Sequence, residues 1–143
     1  MKAYAMMAAL CGAACSAALA VPAQAQTWQQ IEARYTPAFQ DCMDSVDASK
    51  GKVDTAMAQC MVQETARQDA KLAKVYNFTL TALQSEQQAR LSADENEWKE
   101  KRTSVCRDTG KSLAGESKRQ LAFAECMLDA TIRRAIWLET YRP

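Results

Sequence analysis

"CMDSVDASKGKVDTAMAQC" spans residues 42–60, and its two terminal cysteines stand at equal distances from Gly51. The central "DASKGK" (47–52) breaks a sequence that reads as helix on both sides. Residues equidistant from the turn of a helical hairpin face each other across two antiparallel helices. The spacing therefore predicts a hairpin closed by a Cys42–Cys60 disulfide. A second stretch repeats the arrangement, because the midpoint between Cys106 and Cys126 is residue 116, next to Gly115. Four cysteines permit three pairings. The pairs Cys42–Cys60 and Cys106–Cys126 close two hairpins without long-range threading. Bridges over loops of this size contribute ~3 kcal/mol each in the chain-entropy account.

Two more cysteines, Cys11 and Cys15, fall in an apolar run from Ala3 to Ala20 that follows Lys2 and precedes "VPAQAQ" (21–26). A positive residue, an apolar stretch and a small-x-small site (Ala23-Gln24-Ala25) describe a secretory signal peptide, residues 1–25, cleaved after Ala25. No second run approaches the ~20 apolar residues that span a bilayer, so no stable membrane insertion is expected. One domain, residues 26–143, is expected in the periplasm or outside the cell. In that oxidising setting Cys42, Cys60, Cys106 and Cys126 read as two disulfides rather than as free thiols. The signal takes one of the 18 basic residues and none of the 17 acidic ones, which leaves a neutral chain. Neutrality argues against nucleic acid or an anionic membrane surface as the main partner.

The remainder reads as all-α, an antiparallel bundle of about four helices built from hairpins and stapled by the two disulfides. Few glycines and prolines, with much Ala, Gln, Glu, Lys, Leu and Met, favour helix, and no alternating apolar run argues for a strand. A first helix is predicted over Thr27 to Asp47, with Trp28, Ile31, Tyr35, Phe39, Cys42, Met43 and Val46 on one face. Pro37 bends or restarts it, with Thr36 as a local cap. A long second helix starts near Asp54. Ser85 with Gln88 has the form of a capping box opening a third helix, which carries Leu91, Trp98, Arg102, Val105 and Cys106 and ends near Gly110. "DTGKSLAGESK" (108–118) reads as a polar loop, and a last helix covers about Lys118 to Tyr141.

The chain has no histidine. That removes His-based acid–base catalysis, Ser-His-Asp triads and His-containing zinc sites. No catalytic residue, metal or cofactor is expected, and the protein reads as a binding protein rather than an enzyme. The carboxylates of Asp94-Glu95-Asn96-Glu97 read as a solvated helix face. Three cysteines precede methionine (Cys42-Met43, Cys60-Met61, Cys126-Met127), so a Cu(I) carrier is one alternative. Methionine filling gaps beside disulfides is the plainer account. Trp98, Arg102 and Cys106 stack on one helical face and read as a seam. A buried Arg102 then needs a carboxylate. Asp69, which shares an inward stripe with Leu72 and Tyr76, is the best-placed one, and Arg134 is a possible third member.

Cys60-x₃-Glu64, Asp69-x₂-Leu72-x₃-Tyr76, Trp98-x₃-Arg102-x₃-Cys106 and Cys126-x₄-Thr131-x₂-Arg134-x₃-Leu138 together resemble the LprI-type lysozyme-inhibitor family, over roughly Cys42 to Leu138. Ala73 and Glu95 depart from the Asn and Gln common at those places. The resemblance implies a small exported helical protein that binds lysozyme, the first candidate partner, and blocks its cleft. Lysozyme works through two carboxylates, which a protruding loop of cations and hydroxyls can engage. Lys111, Ser112, Ser117, Lys118 and Arg119 are the residues that fit, in a loop that reads equally as a solvated connector. An envelope interaction module without lysozyme affinity is the other alternative.

Overall fold

Pro37 divides the first apolar stretch into two helices in the computed structural model, which describes residues 26–47 and 50–142. The predicted signal segment 1–25, with Cys11 and Cys15, lies outside the described residues. Helix α1 is Trp28–Glu32 and α2 is Pro37–Asp44. Thr36 is extended, and its Oγ1 accepts from the Phe39 N–H at 3.2 Å, while Pro37 occupies a first-turn position that needs no amide hydrogen. Then come α3 (Val53–Thr81), α4 (Ser85–Thr109) and α5 (Glu116–Glu139), and the described residues contain no strand.

Helix α4 runs antiparallel to both of its neighbours. Near its start Ser92 meets Tyr76 of α3, and near its end Cys106 is bonded to Cys126 of α5. It follows that α3 and α5 are parallel: Ala58 and Ala124 line one groove near their N-termini, and Thr79 Oγ1 reaches the Leu138 carbonyl near their C-termini. Ile31 and Phe39 of α1 and α2 close a core cluster with Cys60, Leu128, Ile132 and Ile136. Leu72, Leu91, Ala135 and Leu138 form a second cluster toward the other end. Full burial of such side chains contributes ~1.5–3 kcal/mol each. Both predicted disulfides form, with Cα separations of 5.7 Å for Cys42–Cys60 and 5.4 Å for Cys106–Cys126.

A buried carboxylate fixes the entry to α2. Glu64 on α3 is fully buried and accepts from the Thr36 N–H (3.0 Å), the Thr36 hydroxyl (2.6 Å), Gln68 Nε2 (2.6 Å) and Arg67 (3.1 Å). Gln68 also donates to the Arg34 carbonyl at 2.7 Å, and Arg34 makes a two-pronged pair with Glu139 at 2.6 and 2.7 Å. The segment between α1 and α2 is thereby tied to both α3 and α5.

Four expectations are corrected. The capping contact at α4 lies one residue earlier: Gln87 accepts from the Gln84 N–H at 3.1 Å, and Gln88 turns to the Leu83 carbonyl instead. The polar loop is shorter, because α4 continues to Thr109 and α5 begins at Glu116, whose carboxylate accepts from Arg119 and Gln120 and secures the first turn. Trp28 is 52% exposed, since α1 has only five residues and turns Ile31 inward instead. Val105 is 59% exposed, one position round from the buried Cys106.

Burial alone would raise the Glu64 carboxyl, but the donors on Thr36, Gln68 and Arg67 outweigh it and hold the group below the usual glutamate value. A carboxyl lowered by folding contributes stability above its unfolded value of ~4.3, and that contribution is lost as pH falls through the folded value. Glu64→Gln is expected to cost ~1–3 kcal/mol at neutral pH and to flatten the acid loss of stability in urea titrations below pH ~4.3. A variant whose pH profile runs parallel to that of the wild type would place the acid sensitivity elsewhere.

Candidate functional site

The aromatic and charged residues of α4 and α5 form a continuous seam. The Arg102 guanidinium lies 4.8 Å from the Trp98 ring centroid and donates to Asp69 (2.7 Å) and to the fully buried Thr131 hydroxyl (2.6 Å). Thr131 passes its own hydrogen to the Met127 carbonyl at 2.7 Å. Arg134 sits 5.4 Å from Trp98 and 4.2 Å from Trp137, so arginines and tryptophans alternate along the seam. Its Nε donates to Glu95 at 2.9 Å and its terminal nitrogen donates to Asp94. Tyr76 shares a 3.0 Å hydrogen bond with Ser92 at the far end.

This corrects the reading of Asp94-Glu95-Asn96-Glu97 as wholly solvated. Glu95 is 2% exposed and neutralises Arg134, whereas Glu97 pairs with Lys101 on the outer face. Every acid in the seam is already engaged by an arginine of the same chain, so the seam is a lock between helices. The signal that could have exposed Glu95 is its three-residue step to Trp98, which puts both on one face.

The turn that joins α4 to α5 is a different kind of surface. Lys111 and Ser112 lie within it and are exposed, while Ser117, Lys118 and Arg119 belong to the first turn of α5. Lys111 pairs with Asp108 at 2.6 Å; Arg119 binds Glu116 at 2.7 Å and the Leu113 carbonyl at 3.1 Å. Arg119 first, then Gln120, holds the Glu116 carboxyl below its usual value. Lys118 has no ion-pair partner among the described residues. Gly110 is buried, and a Cβ there would meet the Arg119 Cα and carbonyl oxygen at 3.1 Å, so glycine allows the turn to close on α5. Gly115 has φ +95°, a conformation that favours glycine.

Because α3 and α5 are parallel, this turn has a neighbour that the spacing of cysteines does not reveal. Gly51–Thr55, at the start of α3, and Ser117 line one cavity of about 530 Å³. Both disulfide-closed turns therefore lie side by side at one end of the bundle. The arrangement offers donors and cations on a braced surface.

With Cys42, Cys60, Cys106 and Cys126 in disulfides, the Cys-Met pairs hold no thiolate for Cu(I). No cluster of three potential metal ligands occurs among the described residues. No helix among them is long and apolar enough to cross a membrane.

Comparison with protein families matches residues 42–138, more than half of the chain, to the family described as "Lysozyme inhibitor LprI". No curated protein and no solved structure matches the chain.

Removing one member of a buried ion pair strands the other, whereas replacing both by apolar residues of similar volume is often neutral. Arg134→Met and Glu95→Leu are each expected to lower stability by ~3–5 kcal/mol, and the double variant by markedly less than the sum. Chemical denaturation of all four proteins measures the coupling, and strict additivity would show that the pair is not a unit.

Proposed function

The chain belongs to the LprI lysozyme-inhibitor family, and from that membership we propose that it is exported, binds lysozyme and blocks the enzyme's cleft. The observation that carries the reading is the extent of the family match. It runs from Cys42 to Leu138 and so takes in both disulfides and the whole seam. The turn between α4 and α5 is the part of this scaffold suited to entering a cleft. Its base is closed by Cys106–Cys126, its interior by Gly110 against Arg119, and its tip presents Lys111 and Ser112 with Ser117 and Lys118 behind.

The chemistry supports that fit. A lysozyme cleft carries a carboxylic acid and a carboxylate. Ammonium and hydroxyl donors make charge-assisted hydrogen bonds to such groups, and a braced turn loses little freedom when it binds. The protein acts as a plug in this scheme and performs no reaction of its own. Export is carried by residues 1–25, cleaved after Ala25, and oxidation outside the cytoplasm then sets both staples.

Lysis of bacterial walls by lysozyme is expected to fall when the purified domain is added at micromolar excess. Undiminished lysis would instead favour an envelope interaction module without lysozyme affinity. Lys111→Glu with Lys118→Glu is expected to weaken inhibition by about tenfold or more, equivalent to ~1.4 kcal/mol. Unchanged potency would move the contact away from this turn. N-terminal sequencing of the exported protein should begin at Gln26, and a chain that retains Lys2 contradicts the cleavage.

A further inference from the structure

On the side of α5 away from α4's seam lies a second cavity, of about 590 Å³. Trp28, Tyr35, Phe39, Met43 and Met61 are among the residues that line it. Tyr35 and Phe39 meet at a centroid distance of 4.7 Å and a tilt of 57°. Trp28 is half exposed with its indole N–H fixed on Glu32 at 2.6 Å, so its ring is available to an occupant. From α5, Glu125 and Asp129 line the same cavity.

The charge of this cavity is one-sided. Among the described residues Arg133 is its single lining cation, and it is already taken: its Nε donates to one Asp129 oxygen at 2.7 Å and its NH1 to the Gln26 carbonyl at 3.0 Å. The other Asp129 oxygen is buried with no hydrogen-bond partner among the described residues. Glu125 is exposed and paired with no cation among them. Burial raises the Tyr35 hydroxyl, and the nearby Asp129, Glu32, Glu125 and Glu64 carboxylates raise it further.

Aromatic faces, polarisable thioethers and surplus carboxylate together select one class of ligand. An anion is repelled, and a neutral apolar group leaves Glu125 and the second Asp129 oxygen without a donor. A cation on an apolar stem satisfies rings and acids alike, by cation–π contact on the rings and by charge on the acids. We propose that the cavity between α1–α2 and α5 receives an organic cation, namely the guanidinium side chain of a basic protein partner. Thr109, just before the α4–α5 turn, also lines the cavity, so a partner seated on that turn could reach it. The inference rests on the cavity alone and stands whether or not lysozyme is that partner.

The test uses the oxidised domain and Nα-acetyl-arginine methylamide, with the citrulline analogue as a neutral isostere. NMR is expected to show saturable shifts at the Trp28 indole and the Tyr35 and Phe39 rings, with citrulline about tenfold weaker or worse. Affinity should fall as salt rises. Glu125→Gln, on an exposed side chain, should weaken binding several-fold with the fold unchanged, and Asp129→Asn should weaken it as well. No saturable shift, equal binding of citrulline, or shifts confined to other residues would each overturn the proposal.

Discussion

Helix α4 is too polar to dock by burial alone, and the alternation of Arg102, Trp98, Arg134 and Trp137 is what holds it. Of its 25 residues only Leu91, Glu95 and Cys106 are buried. One leucine and a half-cystine supply a few kcal/mol of apolar burial, little against the entropy of ordering a helix of that length. The Cys106–Cys126 bridge and the seam add to that burial; the seam stacks two guanidinium groups on indole rings and meets them with Asp69, Thr131, Glu95 and Asp94, although the Arg102 Nε is buried with no hydrogen-bond partner among the described residues. Burying such ions is costly, and it is tolerated here because their acceptors lie within the same chain. The geometry demanded by those acceptors also sets the register of α4 on α5.

From that register the position of the α4–α5 turn follows. Cys106 reaches Cys126 only when α4 and α5 are so aligned, and the bridge then fixes the turn carrying Lys111 and Ser112. On the opposite flank Glu64 ties α2 to α3 through Thr36, as Cys42–Cys60 does through covalent bonds. The parallel packing of α3 and α5 brings the two stapled turns to one end. The chain has no histidine, and no other side chain has its unperturbed titration between pH 5 and 8.

The pairing of cysteines was legible in the sequence because each pair is symmetric about a turn, and the split of the first helix because Pro37 cannot continue one. Glu95 was legible only in its three-residue step to Trp98, a signal that the surrounding charge run outweighed. Charge runs are ordinarily solvated, and what buries this one is Arg134, 39 positions away. The parallel relation of α3 and α5 was equally hidden, since local periodicity fixes which face is apolar and leaves the order of non-adjacent helices to packing. Trp28 illustrates the reverse error. Its spacing fits the apolar face, yet a helix as short as α1 has room to bury only Ile31 and leaves the indole over a cavity. The boundary of α5 moved for a local reason, the hydrogen bonds of Glu116 to its own first turn.

The most direct measurement is amide hydrogen exchange on the oxidised domain, alone and with lysozyme in excess. Slowed exchange over residues 110–119, with the seam amides of α4 and α5 unchanged, is the result predicted for a braced turn that enters the cleft. Exchange that is unaltered throughout, or slowed only on faces remote from that turn, would contradict it.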